Sequence, residues 1–484
     1  MPDRGLVSPR DTGGVTEPTP SRWRTALWRG ETAPIPVVRT PTRAVYPRRG
    51  PSEDAELAAV DHGVSLALRV GTLLLAGGAP TEDVEAAIFA VGTAVGLGTF
   101  EVDITYGSIV ISVAAGNDRP GLTDMRVVRG RSTHYARVAA AHQLVLDLAE
   151  GRIPPSDVER RLSDIEHLRR PYPRWFVVIA FGALSAAITV MLGGNALTAA
   201  VAFAAASTTG FIGNRLAHRK VATFFINLVL ALSSVMIAVG VTALEDEQGD
   251  LKVKASLVIV GGIIGLLPGM SLMVAAQEAI GSFAVTAAAR TVELTFATIG
   301  IVSGILLGLN IAAELDVTMA VTVRPDASAS TVTAAAIAAG VAALAAAITY
   351  QSPWRLAIVG GVIAGLGFAV FLTVSEWLDT PGAATAVPAI AIGVASRFFG
   401  ARMRVPPVLV TVPGIIPLLP GLAVYQGLYA LSQDQPDKGI GSLVEAASIA
   451  IALAAGVLLG QLIGGRLMHT PGLSLLPGVT RARR

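Results

Sequence analysis

The chain has 484 residues, of which 52% are hydrophobic and only 15% charged, against roughly 25% charged in a soluble domain, and its mean hydropathy is +0.61. So few charges over such a length exclude a single soluble core, and much of the apolar surface must face lipid. The 37 basic and 35 acidic side chains leave a net charge of +2 and point to no nucleic-acid partner, while the lack of cysteine removes disulfides, thiolate metal sites and cysteine nucleophiles.

Residues 1–50 hold nine Arg, eight Pro and five Gly without apolar periodicity and read as a disordered arm. No apolar stretch near Met1 resembles a secretory signal. Residues 51–174 have soluble composition and read as a small α/β domain. Helical periodicity over 55–76 stops at Gly77-Gly78, and Thr81 caps a second helix to about Val95. Alternation over Phe100–Ile104 and Ile109–Val113, around Tyr106-Gly107, predicts a β-hairpin, followed by a strand near 123–128 and helices at about 133–150 and 155–168. Asp103, Ser108, His134 and His142 would make a hydrolytic site on paper, but no motif spacing supports them, and the chain is not read as an enzyme.

From residue 175 the chain becomes membrane-like. Runs free of Asp, Glu, Lys and Arg occupy 175–214, 221–244, 255–277, 294–313, 327–354, 356–375, 380–396, 405–433 and 446–465. Each fits one helix of about 20 residues, except the first, which Gly193-Gly194-Asn195 splits into a hairpin. Ten spans result. With the soluble segment in the cytoplasm, twelve loop and tail cations fall inside, from Arg215 to Arg484, and only Lys252, Lys254, Arg324 and Lys438 fall outside. That bias sets the orientation, with both termini cytoplasmic. Trp175, Trp354 and Trp377 sit at span edges as interfacial anchors.

Self-similarity organises the spans. Gly262-Ile263-Ile264-Gly265-Leu266-Leu267-Pro268-Gly269 recurs 152 residues later as Gly414-Ile415-Ile416-Pro417-Leu418-Leu419-Pro420-Gly421, with seven identities in eight. Val292-Glu293 recurs on that register as Val444-Glu445, and Gly304–Gly308 as Gly456–Gly460. The halves are residues 175–325 and 326–466, with 467–484 as a cytoplasmic tail. Five spans per half is an odd number, so the second half enters the membrane upside down, an arrangement common in secondary transporters. Pro268 lies about 20 Å along its span, near mid-bilayer. Non-helical backbone survives there only inside protein or beside a water-filled cavity. Pro268, Gly269, Pro420 and Gly421, with Gln277, Tyr425 and Gln426 nearby, are the candidate substrate-binding residues. Gly300, Gly304 and Gly308, like Gly456, Gly460 and Gly464, are spaced for close helix packing. Asn227, Asn310 and Gln461 read as interhelical glue.

Carboxylates inside a membrane mark ion or substrate routes. Glu278, Arg290 and Glu293 fall either in the membrane or in a cytoplasmic loop over 278–293, and Glu293 has a repeat partner in Glu445. The hypothesis is that Glu278 or Glu293 titrates during proton-coupled transport with Arg290 as counter-ion, while Glu293 and Glu445 gate opposite faces.

From about residue 57 to 465 the chain resembles the threonine/serine exporter family of bacterial inner membranes. The resemblance rests on Arg69-Val70-Gly71, Leu73-Leu74-Leu75, Gly77-Gly78 and Glu101–Thr105, then on Gln277-Glu278, Gly281, Val285-Thr286, Ala289-Arg290, Pro413-Gly414-Ile415 and Pro417–Gly421. It implies a multi-pass exporter of threonine and serine driven by the proton-motive force, with ten spans, a cytoplasmic N-terminal domain and no cofactor. A homo-oligomer is left open. Related two-chain systems are linked to dicarboxylate export, so small dicarboxylates are the alternative cargo. A membrane-anchored hydrolase acting through residues 51–174 and a channel are the competing classes.

Overall fold

The computed structural model describes residues 51–114, 121–128, 133–248, 253–263, 265–267, 269–315, 317, 332–378 and 380–468. The expectations for the arm 1–50, Pro268 and most of the tail lie outside them. The description below is of the compact unit Glu56–Arg484.

The α/β domain comprises α1 (Pro51–Ala76), α2 (Thr81–Ala94), β1 (Phe100–Ile104), β2 (Ser108–Val113), β3 (Leu122–Val127), α3 (Tyr135–Ala149) and, after a 3-10 turn at Pro155–Asp157, α4 (Val158–Glu166). The strands form an antiparallel meander in the order β1-β2-β3, with Phe100 opposite Val113 and Ile111 opposite Asp124. Period-two alternation buries Phe100 and Ile104 from β1 and Ile109, Ile111 and Val113 from β2. Close approach explains two glycines of α1 and its end. A Cβ on Gly71 would fall 2.6 Å from Ile88 Cδ1, and one on Gly77 would fall 2.3 Å from Val138 Cγ2.

The rest is helical: α5 (Arg174–Met191), α6 (Ala196–His218), α7 (Thr223–Gln248), α8 (Ala255–Ile263), α9 (Gly269–Ile280), α10 (Ala284–Glu314), α11 (Val332–Thr349), α12 (Trp354–Ser375), α13 (Pro381–Met403), α14 (Val408–Ile415), a 3-10 turn at Ile416–Leu418, α15 (Gly421–Ser432) and α16 (Pro436–Met468). Among the described residues nine helices are long and apolar enough to cross a membrane, and Val408–Leu418 with Gly421–Leu431, bent by 48°, makes a tenth. One of the nine is Leu57–Ala76 of α1. Its Val64, Leu68 and Leu74 share a buried cluster with Ile88, Ile109 and Val138, so its apolar side chains are spent on the α/β domain. The predicted span 255–277 appears instead as two pieces, α8 and α9.

The hairpin break is where the sequence places it: Gly193 takes a positive φ of 83° and the Asn195 side chain caps α6 through Thr198 N at 2.8 Å. Most of 278–293 is helical, since α9 runs to Ile280 and α10 begins at Ala284, and the Glu278–Arg290 pair joins the two helices across the short turn between them.

Packing recurs between the halves. Helix α5 packs on α6 as α11 packs on α12, α7 on α10 as α13 on α16, and α6 on α8 as α12 on α14. Close approach drives the second pairing: Cβ atoms on Gly304 and Gly460 would each fall 2.2 Å from a carbonyl oxygen, of Leu228 and Ile390 respectively. Ser282 and Asp434, 152 residues apart, both adopt positive φ, 70° and 55°. Two of the three residues read as glue bridge helices, Asn227 Nδ2 donating to Ala297 O at 3.2 Å and Gln461 Nε2 to Thr411 Oγ1 at 3.2 Å, while Asn310 is exposed.

Candidate functional site

Both interrupted helices end at one cavity of about 520 Å³. Val177, Phe181, Leu184, Ile188, Met191 and Leu192 line it at helical spacing, so it follows one side of α5 for about 22 Å. Gly265, Leu267, Gly269 and Met270 from the first break, and Ile416, Pro417, Leu419, Gly421 and Leu422 from the second, complete the apolar wall. The polar lining is Thr133, Arg170, Arg174, Asn214, Thr349, Tyr350 and Gln351. These lie toward the α/β domain, where Tyr172 N donates to Gln351 Oε1 at 3.1 Å. The described lining holds two arginines and no carboxylate.

The breaks touch each other. A Cβ on Gly269 would lie 3.0 Å from Gly421 N and 3.1 Å from Leu419 Cβ; one on Gly421 would lie 3.0 Å from Leu267 Cβ. Leu267 and Leu419 are themselves repeat mates, so the contact is reciprocal. Helices α9 and α15 begin at these two glycines. Their first amides have no intrahelical acceptor, and their dipoles present a positive end to the cavity. A carboxylate fits such a place.

The other predicted residues are placed differently. Pro420 precedes α15 as its cap. Gln277 and Gln426 are half-buried, one and a half to two turns beyond the breaks. Tyr425 is 1% exposed and packs in a cluster with Val235, Ile259 and Ile301 of the first half, stacking on Tyr429 at 5.8 Å. Its repeat mate Met273 joins the core of the second half. None of these four lines the cavity.

Glu278 is 3% exposed. Arg290 Nε donates to its Oε2 at 2.7 Å, Nη2 donates to Oε1 at 3.0 Å, and Thr81 Oγ1 donates to Oε1 at 3.1 Å. The pair thus ties α9 and α10 to the first turn of α2. Tyr106, at the hairpin tip, donates to Glu293 and lies under the Arg290 guanidinium at 5.6 Å. Glu445 is exposed on α16. Further bonds join the domain to the turn after α11, through Tyr135 N to Tyr350 O and Ala136 N to Gln351 O at 3.0 Å each, and to Arg404, whose Nη2 donates to Asp147 Oδ1 at 3.2 Å. Every one of these membrane-side partners lies in a segment that the charge bias assigns to one face.

The hydrolytic set does not assemble. The Ser108 hydroxyl bonds Thr105 Oγ1 at 2.8 Å, and His134 Nδ1 accepts from Arg137 N at 3.2 Å. Among the described residues no hydrogen bond joins Ser108 or Asp103 to either histidine.

A family model described as "Putative threonine/serine exporter" matches residues 65–312, and a second, described as "Threonine/Serine exporter, ThrE", matches 335–463. The chain belongs to the threonine/serine exporter family. The "Threonine/serine exporter" of Corynebacterium glutamicum is 32% identical over 443 residues, 89% of each chain. The "Probable threonine/serine exporter" of Mycobacterium tuberculosis is 29% identical over 451 residues, 92% of this chain and 83% of that one. A "Probable succinate transporter subunit" of Escherichia coli is 25% identical over 246 residues, 51% of this chain and 93% of its own. No solved structure matches. Membership accounts for the many apolar helices; the first family match ends within α10 and the second begins within α11.

Arg170, Arg174, Tyr350 and Gln351 were not singled out by the sequence. They stand in two separate segments, and the packing of α5 against α11 brings them to one wall.

Proposed function

We propose that this protein is a secondary transporter that exports threonine and serine across the bacterial inner membrane in exchange for protons. Two five-helix modules of inverted topology enclose the substrate between them. The observation that carries the reading is the reciprocal contact of Gly269 and Gly421 at the cavity wall, which an in-plane dyad between the modules explains. The repeated packing pairs and the matched turns at Ser282 and Asp434 support the same dyad. The substrate carboxylate is held by the amide ends of α9 and α15, and the small hydroxylated side chain suits the apolar wall. The α/β domain is cytoplasmic, both termini face that side, and Arg170 and Arg174 draw the substrate in. Glu278, Arg290 and Glu293 are the proton-coupling or gating groups on that face, with Glu445 on the other.

A second reading, export of small dicarboxylates, is favoured by the two arginines in a lining without carboxylates and by the similarity to the succinate transporter subunit. Counterflow of labelled threonine in proteoliposomes separates the two. Saturable exchange, faster with a pH gradient and indifferent to excess succinate, is the expected result. Succinate exchange without threonine exchange would select the second reading, and non-saturating flux would indicate a channel.

A further inference from the structure

The α/β domain contains a second cavity, of about 200 Å³, that the transport reading does not use. It is smaller than the roughly 300–1,000 Å³ of drug-sized ligand pockets. Arg69, Arg126, Arg137 and His134 line it against a single carboxylate, Glu166. Arg69 already occupies that carboxylate, Nε donating to Oε1 at 3.1 Å and Nη2 to Oε2 at 2.9 Å. Arg69 also reaches Glu159 Oε1 at 3.6 Å and Arg126 acts on Glu166, which still leaves the lining with more positive than negative charge.

Two buried donors around this space, Thr72 Oγ1 and Arg137 Nε, make no hydrogen bond. His134 Nε2 makes none of good geometry, and the Leu168 carbonyl, which accepts from Arg137 Nη2 at 3.4 Å, acts on its ring. His134 is 4% exposed. Its Nδ1 accepts from Arg137 N at 3.2 Å and so caps α3, which leaves the proton of the neutral ring on Nε2. Burial, and then the charge of Arg137, hold His134 below the ordinary histidine range, in keeping with that neutral tautomer. Buried donors without acceptors are rare in folded proteins. Water would satisfy the donors but not the positive excess, whereas an anion with several acceptor oxygens satisfies both.

We propose that this cavity binds a small oxyanion, a phosphate or carboxylate group, through Thr72, His134 and Arg137, with Arg126 as a further charge at its wall. The site is linked to the larger cavity through backbone hydrogen bonds. The amides of Tyr135 and Ala136, next to His134, hold the carbonyls of Tyr350 and Gln351, and those two residues line the space beside the broken helices. An occupant therefore bears on the transport cavity. That consequence rests on the transport reading; the binding itself does not.

The test is calorimetric titration of the full-length protein in detergent with inorganic phosphate, sulfate, succinate and threonine as separate probes. Saturable binding of at least one is expected, and the tetrahedral or carboxylate pair that binds identifies the headgroup. Thr72→Val keeps the side-chain shape and loses no protein partner, so it should fold normally and weaken binding about tenfold. Arg137→Gln should weaken it at least as much. Threonine heat that survives Gly269→Leu but falls with Thr72→Val belongs to this cavity. The proposal is overturned if no probe gives saturable heat, if the only heat disappears with Gly269→Leu, or if both Thr72→Val and Arg137→Gln bind with unchanged affinity.

Discussion

Gly269 and Gly421 meet at the wall of the larger cavity, each so close to the other's segment that a single added Cβ would stand 3.0 Å from its nearest atom. A side chain at either helix start would force its neighbour to give by a few tenths of an ångström. Gly269→Leu is expected to abolish threonine counterflow while leaving expression and fold largely intact, since small-to-large changes cost about 1–3 kcal/mol. Gly421→Leu should do the same, by the reciprocity of the contact. Counterflow above about a tenth of the parental rate in both variants would remove the breaks from the transport site.

The Glu278–Arg290 pair is buried and bidentate. Removing one member strands the other, at about 3–5 kcal/mol. Glu278→Gln and Arg290→Gln should each lower the thermal midpoint, and the double variant should recover part of the loss, giving a favourable coupling in a double-mutant cycle. Transport measured against pH separates stability from coupling. If Glu278→Gln and Glu293→Gln together leave its pH dependence unaltered, neither carboxylate carries the proton.

Two groups of the α/β domain titrate in opposite senses near Arg397. Burial foremost, then the negative charge of Glu82, raises Asp83 from 3.8 to about 6, against the pull of Arg397. The folded state holds that proton more tightly, so this group's contribution to stability grows as pH falls through 6 and is complete below 3.8. Burial, then Arg397 and Arg404, lowers His142 from 6.5 to about 4. Here the unfolded chain takes the proton first, and stability is lost as pH falls from 6.5 to 4. Thermal unfolding at stepped pH should find Asp83→Asn more stable than the parent at pH 8, by about 1–3 kcal/mol, and equal to it below pH 4. His142→Gln should match the parent at pH 8 and exceed it at pH 4.

The glycine faces differ sharply in tolerance. Gly460→Val would drive a side chain into the Ile390 carbonyl, whereas a Cβ on Gly240 meets nothing within 4 Å. Gly460→Val is expected to reduce the yield of folded protein severely and Gly240→Val to be near neutral, as judged by size-exclusion profiles in detergent.

Much of the fold was legible because lipid imposes a simple rule on composition. Charge-free runs marked the spans, Gly193-Gly194-Asn195 marked the hairpin, and period-two alternation marked β1 and β2. Helix ends were less legible: α10 begins at Ala284, ten residues before its charge-free run, because Arg290 finds Glu278 and Glu293 finds Tyr106. The site was half legible. A repeated Leu-Leu-Pro-Gly pointed to Gly269 and Gly421, which line the cavity, whereas Gln277, Tyr425 and Gln426, chosen for their nearness in sequence, do not line it. Tyr425 turns into the opposite module's core, while Arg174 and Gln351 reach the cavity from elsewhere. The link from Thr81 to Glu278 spans 197 residues, a distance at which no spacing motif operates.

The repeat is unequal in one respect. At the positions matching Glu278 and Arg290 the second module carries Ala430 and Ser442, so only one end of the molecule has a charged bolt, and that bolt also fastens the α/β domain. On the proposed orientation an idle transporter is thereby tilted toward the state that keeps the cytoplasmic bolt made. The unmatched pair biases which conformation the resting protein populates, while the gradients still fix the direction of net transport.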